Sequence, residues 1–447
     1  MSDRRAGAIG LAIVAAHLAG GIALTPGYLE PDSVAVFAWI RSLVFNGDFL
    51  FFDEWTGFGL IRDGIPLFKE VSAAGALANH WWIGASILSA PAYVLAHLVA
   101  TGAAIRNGFG GVYGHALAWA AVSFGALASL LGWRIALREN IAPRFALGAL
   151  AAVWVGTPMF WYEYRHPLGT HLAGLLCIAV VAMLLRRAED EGDGWIDVLI
   201  GLWLGLAIVT RLQHVLLIPA VALHLWRVRR PLRSWVAVAL AGTLPLLAQG
   251  FAWSAVYGQP LGPLAAGSSP LGGTWMVMRT IALDEVLFST YHGLLPWAPV
   301  AAFGIAGWFL EVRRRVLAGT FLAMFAGEWL ANGLLDRYFW GGLSFGPRRF
   351  VDLAIPLAIG VAWLLRRSGA IGAVAVAAAS AWTVLLTVAA AAGTLDLSRD
   401  VSFAEMVAAI RSVPWSRTAA ILFGGTALAR APALAVVGAA IAAAAGA

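Results

Sequence analysis

Apolar residues run in long blocks along this chain, interrupted by short polar stretches. A helix that crosses a bilayer needs about 20 mostly apolar residues, because in lipid its backbone must satisfy its own hydrogen bonds. The pattern predicts such spans over 7–25, 111–133, 145–160, 168–185, 195–209, 213–226 and 234–254, and again over 293–310, 316–334, 350–366, 369–391 and 424–446. The predicted fold is an all-α, polytopic transmembrane bundle of about 12 spans, with amphipathic helices in a long first outer loop.

The polar stretches orient the bundle, since cytoplasmic loops carry an excess of Lys and Arg. Arg4 and Arg5, then Arg134, Arg138 and Arg144, then Arg186 and Arg187, then Arg227, Arg229, Arg230 and Arg233 all fall on one side if the spans alternate. So do Arg313 to Arg315, and Arg366 with Arg367. Two segments decide this parity. Residues 81–100 are apolar but are placed as a membrane-embedded or interfacial element, and 195–226 must turn back near Thr210-Arg211-Leu212-Gln213. The first apolar stretch is read as a retained span, because Pro26-Gly27-Tyr28 offers no small-residue cleavage site. Both termini are then cytoplasmic. The opposite side receives the loop 26–110, the turn Trp161 to Pro167, the loop 255–292, the segment Asp336 to Arg349, and 394–417.

Composition agrees with the pattern: 61% of the residues are hydrophobic, 12% are charged and the mean hydropathy is +0.80, too few charges to cover an aqueous surface. The net charge of +6 sits in clusters between apolar blocks rather than along one face, which fits membrane orientation and not nucleic acid. Cys177 is the single cysteine, so disulfide frameworks and thiolate metal sites are excluded.

Candidate chemistry concentrates on the outer side. The first loop is acidic and aromatic, and Asp32 opens the run to Arg41 as either a helix N-cap or a reactive carboxylate. Lys69 is the only lysine, and reads equally as a ligand or a snorkelling surface residue. At Trp161 to Pro167 a carboxylate, a guanidinium and an imidazole (Glu163, Arg165 and His166) meet at the membrane boundary. Farther on, Gly341-Gly342-Leu-Ser344-Phe-Gly346-Pro347-Arg348-Arg349 places paired arginines where the positive-inside pattern does not want them. Arginine's fixed fork suits a phosphate or pyrophosphate; the plainer reading is an ion pair with Asp336 or Asp352. Arg211 and His292 could line the same outer cavity, and Glu328, with Asn332 one turn on, faces the bundle interior. No phosphate-binding glycine loop ending in Lys-Ser/Thr, no His-Glu-x-x-His helix and no Gly-x-Ser-x-Gly elbow is present.

An acidic first outer loop, a second acidic turn after the third span and outward arginines later resemble the GT-C superfamily of membrane glycosyltransferases. That superfamily includes protein O-mannosyltransferases, the aminoarabinose transferase acting on lipid A, and the oligosaccharyltransferase catalytic subunit. Pro31-Asp32-Ser33 with Arg41-Ser42-Leu43, Asn79-His80-Trp-Trp-Ile-Gly84, Thr210-Arg211-Leu-Gln213, His292-Gly293-Leu-Leu-Pro-Trp297 and Gly341 to Arg349 look most like uncharacterised bacterial members. The resemblance implies a catalytic core over 1–366, including the periplasmic loop 26–110, with C-terminal helices over 367–447, in a bacterial inner membrane. It implies sugar transfer from a polyprenyl-phosphate-linked donor to a glycan, lipid or protein acceptor. Asp32 would be the base or acceptor-positioning group and Glu163 the second acidic residue. Lys69, Arg165, His166, Arg211, His292, Arg348 and Arg349 would bind substrate. A divalent cation, Mg or Mn, would fall on Asp32 and Glu163, though Ser33 stands where the family often has a second acid. Two other readings are a lipid or solute transporter or flippase, which suits broken helices near 210 and Glu328, and a non-catalytic subunit of an envelope polysaccharide complex.

Overall fold

The computed structural model describes residues 3–24, 31–59, 69–100, 106–167, 169–264, 281–335 and 339–423. The expected last span, 424–446, lies outside them, as does the side chain of Asp32. The described residues are helical, apart from turns, loops and one isolated bridge between Val71 and Leu77.

The chain starts with α1 (Asp3–Leu24) and then builds the first loop from α2 (Pro31–Arg41), α3 (Phe52–Gly57) and α4 (Gly84–Val99). The bundle continues through α5 (Gly111–Arg138), α6 (Pro143–Gly156), the short α7 (Met159–Tyr164), α8 (His171–Asp190), α9 (Gly194–Thr210), α10 (Ile218–Arg227) and α11 (Leu232–Tyr257). Next come α12 (Leu283–Phe288), α13 (Leu294–Trp297), α14 (Val300–Glu311), α15 (Val316–Leu330), α16 (Ala354–Ala391), α17 (Phe403–Arg411) and α18 (Thr418–Phe423). Among the described residues five helical stretches are long and apolar enough to cross a membrane: Arg4–Ile22, Gly111–Arg138, His171–Asp190, Leu232–Tyr257 and Arg348–Ala391. The expected span over 213–226 is broken: Leu212–Leu217 is a 3-10 turn, and α10 keeps the rest.

The arginine clusters gather at one end of the bundle around a few acids. Glu139 takes Arg186 at 2.5 Å and also Arg315. Glu311, almost fully buried, takes Arg366 at 3.0 Å and Arg367 at 2.8 Å, and Asp197 takes Arg230 at 2.7 Å. These contacts connect loops far apart in sequence, as the alternation of spans requires.

Arg366 and Arg367 also mark a reversal of the chain. Within α16, Gly369 has φ 58° and ψ −135°, a backbone that a side chain with a Cβ rarely adopts. Before it, Gly360 packs on Gly304 and Gly307 of α14; after it, the Thr383 hydroxyl donates to the carbonyls of Trp297 and Gly156. The helix therefore runs down to the arginine end and back, as the separate spans 350–366 and 369–391 predict.

Small residues set the closest crossings, because apolar lipid gives helices little hydrophobic reason to associate and leaves backbone approach to do it. On α9, Gly201 and Gly205 lie against Val238 and Gly242 of α11; a Cβ on either would run into the carbonyl oxygen of Val238 or Gly242. A Cβ on Gly307 would likewise run into the Gly360 carbonyl oxygen.

Helix α2 is covered all round from Ser33 to Ser42, so its polar end is buried as well. Arg41 donates to Glu54 Oε1 at 2.6 Å and to Asn46 Oδ1 at 3.1 Å, and its guanidinium lies 3.9 Å from the Phe109 ring centre. Burial raises the Glu54 pKa, and Arg41 pulls it back. The described part of this loop packs against Ala252, Trp253, Val256 and Tyr257 at the end of α11, away from the arginine clusters.

Candidate active site

Arg211 ends α9 with φ −151° and ψ 120°, which takes the chain out of the helix and into the 3-10 turn Leu212–Leu217. Its guanidinium is held from several sides. Nη1 donates to Asp352 Oδ2 at 2.9 Å and meets His171 Nδ1 at 2.8 Å, and Nη2 donates to Gln213 Oε1 at 3.2 Å. The same Asp352 oxygen lies 2.8 Å from His214 Nε2. Gln213 Nε2 donates to Glu328 Oε2 at 2.7 Å and to the Arg349 carbonyl at 3.1 Å, and Arg349 Nη1 donates to Asn332 Oδ1 at 3.2 Å. Asp352 and Glu328 are buried to 0% and 1% exposure. An uncompensated cation at such depth is costly, so these acids make the arginines tolerable.

In front of this network lies a cavity of about 470 Å³, a volume typical of small-molecule sites. Arg211, Arg348 and Arg349 form one part of its wall, and Trp81, Trp82, Trp161, Tyr162, His166 and Phe345 another. Leu212, Val215, Leu216 and Leu264 give it an apolar flank. Among the described residues no carboxylate lines the wall; Asp352 and Glu328 stand behind it. Three guanidiniums on one cavity wall are donors suited to an anion.

The loop that delivers Arg348 needs its glycines. Gly341 and Gly342 have φ of 79° and 74°, and a Cβ on Gly341 would come within 3.2 Å of Arg348 Nε. His292 supports that loop from behind: its Nδ1 is 2.9 Å from the Trp340 carbonyl and 3.3 Å from Ser344 Oγ. Burial pushes the His292 pKa down to about 4, so it is neutral at pH 7. It borders a smaller pocket with Arg348 and Arg349, not the main cavity.

The structure brings His166, Arg211, Arg348 and Arg349 onto one wall. It does not bring Glu163 there. That carboxylate is fully buried between α1 and α6, with Oε1 2.5 Å from His17 Nδ1 and Oε2 accepting from Trp154 Nε1 at 2.8 Å. Arg165 lies off the wall with its guanidinium 5.9 Å from the Trp161 ring centre, and Lys69 is exposed and also off the wall. Asp32 is the second residue of α2; the next residue, Ser33, and Val36 line the cavity.

Sequence reasoning missed His214 and assigned no role to Gln213 or His80, which it named only within motifs. Asp352 is expected from the sequence as an ion-pair partner of Arg348 or Arg349; in the structure it pairs with Arg211. His80 lines the cavity with Nδ1 3.3 Å from the Tyr257 hydroxyl and Nε2 3.6 Å from Glu70. Burial lowers its pKa to about 4 and raises that of Glu70.

No family model matches the sequence, and no curated protein does either. Among solved structures, a crystal structure of ArnT from Cupriavidus metallidurans bound to undecaprenyl phosphate superposes with a TM-score of 0.55 at 12% sequence identity. The match covers 98% of this chain and 73% of that one. The chain shares the fold of that ArnT structure. In this bundle the cavity lies at the end opposite the arginine clusters of Glu139 and Glu311, beside α2 and residues 80–82 of the first loop.

Proposed function

We propose that this protein is a GT-C glycosyltransferase that moves a sugar from a polyprenyl-phosphate-linked donor to an acceptor at the outer, periplasmic face of a bacterial inner membrane. The observation that carries this reading is the set of three arginines, Arg211, Arg348 and Arg349, on the wall of one cavity whose described wall residues include no carboxylate. A lipid-linked phosphate keeps its tail in the bilayer and its charge at the boundary, so its site needs cations beside an apolar flank. Leu212, Val215 and Leu216 supply that flank next to Arg211. The bound undecaprenyl phosphate of the ArnT crystal structure supports the same class of donor for this fold.

In this reading the arginines neutralise charge that grows on the phosphate as the anomeric carbon–oxygen bond breaks, a role preorganised cations fill well in a partly dry site. Asp32, the residue before the cavity-lining Ser33 in α2, is the proposed base or acceptor-positioning group. The acceptor oxygen bonds to the anomeric carbon, its proton passes to the base, and the lipid phosphate leaves. His166 and the aromatic wall hold the sugar, while Lys69, Arg165 and His292 shape the surrounding loops. Glu163 acts at one remove, by fixing α7, which carries Trp161 and Tyr162. A divalent cation, if the reaction uses one, would belong near Asp32.

The test is transfer by the purified protein from a panel of polyprenyl-phosphate sugars, with and without Mg or Mn, alongside Asp32→Asn. Transfer by the parent and its loss in a folded Asp32→Asn variant are expected. Full transfer by that variant would remove Asp32 from the mechanism.

A further inference from the structure

Three arginines can cradle one phosphate only if their spacing is fixed, and here they come from two segments far apart in sequence. Arg211 follows α9, while Arg348 and Arg349 open the 3-10 turn Arg348–Leu353. Asp352 belongs to that second turn and is the residue that Arg211 reaches back to, at 2.9 Å. The link is doubled: Gln213, two residues beyond Arg211, donates to the carbonyl of Arg349 at 3.1 Å.

Asp352 is itself clamped. His214 Nε2 lies 2.8 Å from the oxygen that Arg211 uses, and His214 Nδ1 lies 2.9 Å from the Ala207 carbonyl in α9. On the other side α8 presents Gly174, where an added Cβ would stand 2.9 Å from Asp352 Oδ1. A carboxylate with no exposure, two partners on one oxygen and a glycine cut to its outline has little freedom. An exposed surface ion pair would be far looser and nearly without energetic effect.

We propose that Asp352, held by His214 and Gly174, is the positioning residue that sets the distance and angle between Arg211 and the Arg348–Arg349 pair, and so builds the phosphate cradle. This rests on the reading of those arginines as the donor's phosphate site. Asp352 touches no substrate; it acts through Arg211.

The experiment is a double-mutant cycle on the full-length protein in lipid nanodiscs, with undecaprenyl phosphate as the probe and its Kd as the readout. Arg211→Gln, Asp352→Asn, His214→Gln and Gly174→Ala are each measured alone, and the last three again in the Arg211→Gln background. Each single change is expected to weaken binding roughly ten- to a hundredfold, the range for losing a charged hydrogen bond. In the Arg211→Gln background the other three are expected to add nothing, because they act only by placing Arg211. Gly174→Ala keeps every charge and moves only the carboxylate, so it serves if Asp352→Asn does not fold. If Arg211→Gln weakens binding and the others multiply that loss, Asp352 is structural and the inference is overturned. If Arg211→Gln leaves binding unchanged, the phosphate reading itself fails.

Discussion

Glu163 Oε1 lies 2.5 Å from His17 Nδ1, and its other oxygen accepts the Trp154 indole N–H, so one carboxylate joins α1, α6 and α7 inside the bundle. The backbone is shaped for it: on α5, Gly125 leaves a gap where a Cβ would come within 2.7 Å of Glu163 Oε1. The sequence pattern groups Glu163 with Arg165 and His166 as a polar turn. In space the carboxylate is bound by His17 and Trp154.

Glu163→Ala is therefore expected to act on stability first. It strands the indole of Trp154 and the imidazole of His17, at about 1–3 kcal/mol for each group left unsatisfied. Thermal unfolding in detergent should show the loss, and Glu163→Gln, which keeps hydrogen-bonding atoms in place, should recover much of it. An alanine variant as stable as the parent yet inactive would return Glu163 to the chemistry.

Arg348 borders the cavity at the end of a loop with two left-handed glycines. Reversing its charge, Arg348→Glu, should weaken undecaprenyl phosphate binding by roughly a hundredfold or more, since a favourable charged contact becomes a repulsive one. Isothermal titration against the parent measures this, and raising the salt should shrink the difference only slightly at a half-buried site. Equal affinities would mean that Arg348 serves the loop and not the ligand.

The α14–α16 crossing depends on backbone contact at Gly307 and Gly360. Gly307→Val must push the helices apart, at about 1–3 kcal/mol or more for overpacking. A lowered melting temperature is expected. Because α16 begins directly after the turn holding Arg348, Arg349 and Asp352, lipid phosphate binding should weaken as well. Unchanged melting would contradict the close crossing.

His80 and His292 are both buried, with pKa values lowered from 6.5 to about 4. The sign follows from proton uptake: below pH 6.5 the unfolded chain binds protons that the folded protein refuses, so unfolding is favoured. Their contribution is fully present above about pH 6.5 and is lost as pH falls toward about 4. Melting temperature should decline across that window, and His80→Gln with His292→Gln should flatten the decline. An unaltered slope in the double variant would assign it to other groups.

Much of this architecture is legible in the sequence because bilayer physics is simple. Apolar length marks the helices, and the arginines that share a predicted side do meet, at Glu139 and Glu311. The turn at Thr210-Arg211 is forced by the same parity and is present. What stayed hidden is pairing across long separations: Asp352 lies 141 positions from Arg211 and Glu163 lies 146 from His17, and no local pattern announces either contact. The burial of α2 on every side was equally unreadable, since an apolar run with a polar end looks the same whether one face or all faces are covered. Arg348 and Arg349 could be found because outward arginines break a strong rule, whereas His80 breaks none.

The most direct measurement follows the fate of the lipid. Protein in nanodiscs is given a polyprenyl-phosphate sugar labelled in both the sugar and the phosphate, together with an envelope extract as the source of acceptor. The account predicts that labelled sugar leaves the lipid for the acceptor while free polyprenyl phosphate accumulates in equal amount, and that Arg211→Gln slows both. In sealed proteoliposomes, intact donor crossing from one leaflet to the other with no sugar released would contradict it and make the protein a lipid transporter.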